Sequence, residues 1–454
     1  MGRLFGTDGV RGVAGRDLTP ELALALGRAL GVRLADVAGG PLGSRPTVVV
    51  GRDSRLSGDL LQGALGAGLM AAGCDVLDVG ILPTPAVSWL TAAGDAVAGC
   101  MISASHNPVP DNGIKVFGPD GRKLSDADED AIEAIVAGRT APPGLWPVGE
   151  AVGRRREGAT AALDLYRAHL RSAGPGGLAG WRLVVDAGHG AAAGILSSVL
   201  RDLGAEVVAL ADEPDGSRIN VACGATAPEL AARAVSEHGA RVGLSLDGDA
   251  DRVIAVDEHG TIVDGDGVLA VLAEALLAEE RLEGRVVVAT TMSNGGLARF
   301  LRSLGVDLLR APVGDRYVAQ AMREGGYALG GEQSGHVLLP HLAPTGDGEL
   351  TAMVLLKVLS ERGRTLSELA GRVVRLPQRL VNLPLEPSQR EDWRTPRVQD
   401  AMARAGAILG PEGRLVVRPS GTEPLLRVMA EGESEEVVEA AIACIADALA
   451  PAPF

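Results

Sequence analysis

Residues 102 to 117 read ISASHNPVPDNGIKVF. Directly after the small apolar run Val97 to Ile102, they set two hydroxyls (Ser103 and Ser105), an imidazole (His106) and an ammonium (Lys115) on a loop built from Asn, Pro, Asp and Gly. A strand ending this way can carry a nucleophile into a cleft, although a serine at a strand end is also an ordinary cap or turn former. DGDADR, residues 247 to 252, is the second such stretch. In a short extended segment, alternation puts Asp247, Asp249 and Asp251 on one side, where three close anions call for a cation. A hard divalent ion, most simply Mg2+, takes oxygen donors and leaves positions for a phosphoryl oxygen and water. Arg252 adds a charge suited to phosphate. A calcium EF-hand would need a longer loop with a distal Glu, and an acidic surface turn is the plain alternative.

Three further loops carry polar chemistry. Arg418 is followed by Pro419, Ser420, Gly421 and Thr422, so a guanidinium, turn N–H groups and two hydroxyls form an anion cradle, with Arg427 on the next strand able to face it. The pattern matches neither a Walker loop nor a dinucleotide fingerprint. GEQSGH offers Glu332, Gln333 and Ser334 to sugar hydroxyl or amino groups, with His336 behind them. Arg11 lies in the glycine-rich FGTDGVRG, and Arg316 precedes a helical stretch; either also suits a solvated surface.

The elements that must position these loops form a repeat. TVVVGRDS from Thr47, LVVDAGHG from Leu183 and VVVATTMS from Val286 each begin a unit of strand, polar loop, helix, glycine cap and strand, a βαβ crossover. Each unit leads to another apolar run, Val97 to Ile102, Val242 to Leu246 and Tyr327 to Gly330. These runs end in the serine, acidic and GEQSGH loops respectively. Ligands of open α/β sheets bind beyond the carboxyl ends of strands. The expected fold class is therefore α/β, three related βαβ-type domains plus a C-terminal α+β domain around one central cleft. Composition shifts place the domains at 1–152 (serine loop), 153–256 (acidic loop), 257–372 (sugar loop) and 373–454 (phosphate cradle). The last should carry strands at Arg379 to Leu385, Gly413 to Arg418 and Leu425 to Glu431. Its helices are expected at Pro396 to Ala405 and Glu435 to Leu449, the latter capped by Ser434.

At 454 residues the chain exceeds one hydrophobic core. With 46% apolar but only 2% aromatic residues, the cores must be aliphatic, which suits strands covered by helices. Four scattered cysteines give neither a disulfide framework nor a zinc site. No segment reaches membrane-spanning length and no signal-like run is present, so a soluble cytoplasmic protein without a membrane partner is expected. A net charge of −15 argues against nucleic-acid partners. Of 43 basic residues only Lys115, Lys123 and Lys357 are lysines, and one of them falls in the serine loop.

Taken in order, FGTDGVRG, SASHNP with NGIK, DGDADR, GEQSGH and RPSGTEP resemble the α-D-phosphohexomutase superfamily over essentially the whole chain. Within it, ISASHNP, VGDRYV, GGEQSGHV and SGTEPLLRVMAEG most resemble the bacterial phosphoglucosamine mutase family. Pro419, where other branches often have Ala, and ATAP at 225–228, where Thr-His-Pro is commoner, are departures that remove no chemical group.

The resemblance implies an intramolecular phosphotransferase in which phosphorylated Ser105 donates to a hexosamine phosphate. One Mg2+ per chain is held by Ser105, Asp247, Asp249 and Asp251, and a bisphosphorylated hexose or hexosamine serves as intermediate and activator. Arg418, Ser420, Gly421, Thr422 and Arg427 hold the phosphate that is not reacting, while Glu332 and Ser334 contact the sugar. Lys115, His106, His336 and Arg11 are candidates for proton transfer. The implied reaction interconverts glucosamine 6-phosphate and glucosamine 1-phosphate, feeding UDP-N-acetylglucosamine and cell-wall precursors. A homodimer is left open. The alternatives are a phosphomannomutase/phosphoglucomutase of the same mechanism, a phosphatase with Asp247 as nucleophile, and a non-catalytic sugar-phosphate sensor.

Overall fold

Val48, Val49 and Val50 are buried on both faces of their strand, as a parallel strand sandwiched between helices requires. The computed structural model describes residues 3–6, 8–38, 45–139, 146–385, 392–419 and 425–449. The first sheet holds β1 (Val10–Val13), β2 (Thr47–Arg52), β3 (Asp75–Ile81), β4 (Ala98–Ile102), β5 (Asp111–Phe117) and β6 (Arg155–Glu157), in the order β1-β5-β4-β2-β3-β6. The second holds β7 (Arg182–Asp186), β8 (Glu206–Leu210), β9 (Val242–Leu246), β10 (Val253–Val256) and β11 (Ile262–Val263), ordered β11-β10-β9-β7-β8. The third holds β12 (Val286–Thr290), β13 (Asp307–Ala311), β14 (Gly330–Gly331) and β15 (Val337–Leu338), ordered β13-β12-β14-β15.

One arrangement recurs. The first strand of each unit pairs in parallel with the second on one side and the third on the other, as β3-β2-β4, β8-β7-β9 and β13-β12-β14. An antiparallel strand then returns along the third, as β5, β10 and β15 do. The loop between the third strand and this return strand carries Ser105 in the first unit, the acidic stretch in the second and Glu332 in the third. One apolar cluster runs from Val49 to Ala370, so the three units share a core.

The fourth sheet, β16 (Gln378–Pro384), β17 (Arg414–Pro419) and β18 (Leu425–Glu431), is antiparallel with β18 central. It packs on helices Pro396–Leu409 and Glu435–Leu449 over its own core, which includes Leu409, Leu426, Val428 and Ile445. Ser434 Oγ accepts from the Val437 amide, capping the last helix as expected. The sheet docks on the third unit through polar contacts at the start of helix Gly295–Ser303. Asn294 exchanges two hydrogen bonds with the Leu376 backbone at 3.0 and 2.9 Å. The Gly295 amide donates to the fully buried Glu431 at 2.9 Å, and Arg414 reaches the carbonyls of Thr291 and Ser293 at 2.8 Å each.

Two expectations shift. The run Tyr327 to Gly330 is a strand only at Gly330–Gly331, because the Tyr327 amide still donates to Met322 to close the preceding helix. The sequence pattern also predicts a helix over Leu366 to Val374, but the helix stops at Ala370, with Gly371 as its C-cap. Among the described residues no helix is long and apolar enough to cross a membrane.

Candidate active site

Ser105 sits just beyond β4 in the left-handed region, φ 51°, which turns its side chain out of the strand direction toward the second unit. Its hydroxyl donates to Asp247 Oδ2 at 2.6 Å and lies 3.2 Å from His106 Nδ1. The backbone around it is fixed on every side. Its amide donates to Ser103 Oγ, which donates to Asp53, and its carbonyl accepts from Asn220 at 3.0 Å and Arg55 at 2.8 Å. The fully buried Arg55 guanidinium also donates to the carbonyls of Asn107, Pro108 and Asp111 and to Asp53, so one side chain organises the whole loop.

The three acidic side chains converge, with one oxygen from each of Asp247, Asp249 and Asp251 within 4.8 Å of the others. The route differs from the expected alternation on an extended segment. These residues form a turn with Ala250 at φ 57°, and the turn brings the carboxylates together. Gly190 makes room for it, since a Cβ there would lie 2.4 Å from the Gly248 carbonyl oxygen. Burial and the charges of Asp251 and Asp249 push Asp247 well above the usual carboxylate range. Burial acts the same way on Asp251, but Lys115, His336 and Arg252 outweigh it and hold that carboxyl well below the range. Asp249 Oδ1 is buried without a hydrogen-bond partner. An all-oxygen set with strong mutual repulsion and an orphaned oxygen fits a hard divalent cation.

Lys115 on β5 lies 2.8 Å from Asp249 and 3.4 Å from Asp251. Burial works against its proton, but Asp249, Asp8 and Asp251 keep its pKa well above the ordinary lysine value. The two histidines diverge. Burial and the Arg252 charge push His106 down to about 4, whereas Asp251, Asp315 and Glu332 overcome burial and raise His336 to about 9. Arg11 donates to Asn107 at 3.2 Å and pairs with Asp8. Arg252 is within 3.6 Å of Asp251, and its amide donates to Asp247 Oδ1 at 3.1 Å.

In the third unit, Glu332 accepts from the Gly314 amide at 3.1 Å, and Ser334 is exposed beside it. Arg418 and Arg427 are directly opposed on β17 and β18. Burial and the Arg427 charge lower the Arg418 pKa, an arrangement that an anion would relieve. Ser420, Gly421 and Thr422 lie outside the described residues. Arg316 forms no part of the cluster; it pairs with Asp126 and Glu129 on helix Asp126–Val136.

Sequence reasoning missed Arg55, Asn220, Asp8, Lys123 and Asp315. Asp8 and Asp315 stood inside the quoted FGTDGVRG and VGDRYV motifs, and Lys123 was marked only by the scarcity of lysine.

Models of the phosphoglucomutase/phosphomannomutase family match all four parts of the chain. Alpha/beta/alpha domains I, II and III match residues 2–142, 166–260 and 264–376, and the C-terminal domain matches 380–448. The chain is 50% identical to the phosphoglucosamine mutase of Rhodococcus jostii, covering 96% of this chain and 97% of that protein. It is 49% identical to that of Mycobacterium marinum over the full length of both. A phosphoglucomutase/phosphomannomutase family protein of Burkholderia thailandensis superposes with a TM-score of 0.80 at 27% identity, covering 98% of this chain and 97% of that one. With the serine, acidic and sugar loops brought to one cleft, these likenesses show that the chain belongs to the phosphoglucosamine mutase family of the phosphohexomutase superfamily.

Proposed function

We propose that the protein interconverts glucosamine 6-phosphate and glucosamine 1-phosphate, with Ser105 carrying the phosphoryl group. The supporting observation is the 2.6 Å hydrogen bond from Ser105 to Asp247, which puts a hydroxyl nucleophile on the acidic cluster. Asp247, Asp249, Asp251 and Ser105 would hold Mg2+, which when bound supplies positive charge to the transferring group.

Phosphorylated Ser105 loses its O–P bond as a free hydroxyl of the sugar phosphate forms one. His106, 3.2 Å from Ser105 Oγ, is placed to take the proton from that hydroxyl and hand it to the departing Ser105 oxygen, whereas Lys115, His336 and Arg11 are held in ion pairs. The bisphosphorylated sugar then turns over, and its other phosphate returns to Ser105 as the proton returns to the sugar oxygen. Arg418 and Arg427 hold the non-reacting phosphate, which makes each transfer effectively intramolecular. Glu332 and Ser334 take the sugar's amino and hydroxyl groups. A bisphosphorylated hexose or hexosamine primes unphosphorylated enzyme.

A substrate panel with peptide mass spectrometry tests this reading. The expected result is the highest kcat/KM with glucosamine phosphates, phosphate on Ser105, and loss of both in Ser105→Ala. Faster turnover of glucose or mannose phosphates would overturn the substrate assignment. The phosphatase alternative is less favoured because both Asp247 oxygens are engaged, by Ser105 and by the Arg252 amide. Release of the enzyme's phosphate by hydroxylamine would revive it.

A further inference from the structure

Two of the chain's three lysines belong to a closed ring of alternating charge built from three units. Asp251 meets Lys115 at 3.4 Å, Lys115 meets Asp8 Oδ2 at 3.3 Å, and Asp8 Oδ1 meets Lys123 at 2.5 Å. Lys123 meets Asp315 at 2.5 Å, Asp315 lies 3.9 Å from His336 Nε2, and His336 Nδ1 lies 3.7 Å from Asp251. Asp8, Lys115 and Lys123 come from the first unit, Asp251 from the second, and Asp315 and His336 from the third.

Lys123 is the member farthest from the acidic cluster, yet each of its partners touches a cation that touches Asp251. Two carboxylates close enough to share one ammonium repel without it. A compact ammonium with three rotatable donors fits between them, where a planar guanidinium would not. This accounts for a lysine at 123 in a chain that uses arginine almost everywhere. Nor is the bridge needed to join the first and third units, because Arg316 already pairs with Asp126 and Glu129 across the same boundary.

We propose that Lys123 is a positioning residue for phosphoryl transfer: by bridging Asp8 and Asp315 it holds Lys115 and His336 against the acidic cluster, and so sets the geometry at Ser105. This rests on the phosphoryl-transfer reading above. Without Lys123, Asp315 competes with Asp251 for His336, and Asp8 draws Lys115 toward itself.

The test compares wild type, Lys123→Met, Asp315→Asn, the double variant and Lys357→Met by kcat, KM and thermal midpoint. The assays use the sugar phosphate that wild type turns over, and rates are normalised to folded protein. Lys123→Met should lower kcat about 30-fold or more with KM within about twofold, the signature of an interaction felt in the transition state. Asp315→Asn should shift kcat in the same sense. Adding it to Lys123→Met should restore about fivefold, since removing the second charge relieves the competition for His336. Lys357→Met, which removes a half-exposed ammonium elsewhere, should match wild type. A normalised kcat within about twofold of wild type in Lys123→Met overturns the proposal, and so does a double variant no faster than Lys123→Met. If Lys123→Met does not fold, an unchanged kcat in Asp315→Asn overturns it instead. Absence of mutase activity in wild type overturns the proposed function, and this inference with it, before any variant is compared.

Discussion

Arg55 donates a hydrogen bond to the carbonyl oxygen of Ser105 at 2.8 Å while both residues are buried. The same guanidinium serves three other loop carbonyls and Asp53. A lysine has too few donors for this set and the wrong shape. Arg55→Lys should therefore lower kcat about 100-fold and cost about 3 kcal/mol of stability, as expected for a broken buried network. Steady-state kinetics with denaturant unfolding checks this; unchanged kcat would show that the loop holds its shape unaided.

With Mg2+ held at the acidic cluster as proposed, the protein's stability should depend on that ion. Chelation should stop turnover, and Mg2+ at about 100 times its Kd should add about 2.7 kcal/mol to wild-type stability. In Asp247→Asn one of three crowded charges is gone, so the metal-free variant should melt above metal-free wild type and gain little from Mg2+. Thermal melts with and without chelator decide the matter. A metal-free variant less stable than metal-free wild type would mean that repulsion does not govern the cluster.

Gly190 and Gly248 are packed backbone against backbone. In Gly190→Ala the new methyl must displace the acidic turn, with an expected loss of about 1–3 kcal/mol and about tenfold in kcat. Gly239, at φ 60° and with open space where a Cβ would point, is the control. Gly239→Ala should cost about 1 kcal/mol in backbone strain and leave kcat alone. Equal kcat in the two variants would argue against crowding at the turn.

The local groups of the site were legible in the sequence because each loop follows an apolar strand and concentrates polar side chains among Gly, Asn and Pro. Ser105, the acidic stretch and Glu332 could be read that way, and so could the repeat that aligns them. The residues that hold the loops could not. Arg55 and Asn220 act on backbone carbonyls, 50 and 115 residues away in the case of Ser105, and no local pattern marks such a pairing. Asp8 and Asp315 stand inside quoted motifs, but no local pattern marks that they share Lys123 as a partner. The acidic stretch reads as extended in the sequence because alternation and a left-handed turn both gather three carboxylates, and only the backbone at Ala250 separates them.

Asp266 supplies a pH test away from the acidic cluster. Its carboxylate accepts from the Asn294 amide at 2.7 Å, while burial and the neighbouring Asp264 raise its pKa from 3.8 to about 6. A raised acid binds its proton more tightly in the folded state. Its effect therefore favours folding below about pH 4 and disfavours it progressively as pH climbs through 6, by on the order of 2–3 kcal/mol in all. Relative to Asp266→Asn, wild type should lose stability between pH 4 and 7. Parallel melting curves for the two proteins across that range would sink the assignment.

The ring that absorbs Lys115 and Lys123 also has a practical consequence. With those two amines 2% and 17% exposed and Lys357 at 41%, the folded protein offers amine-reactive reagents essentially one lysine. A dye, surface tether or cross-linker would attach through its side chains at one known point on helix Gly348–Arg362, giving defined orientation without engineering. Reaction at either of the other two would report that the cleft had opened.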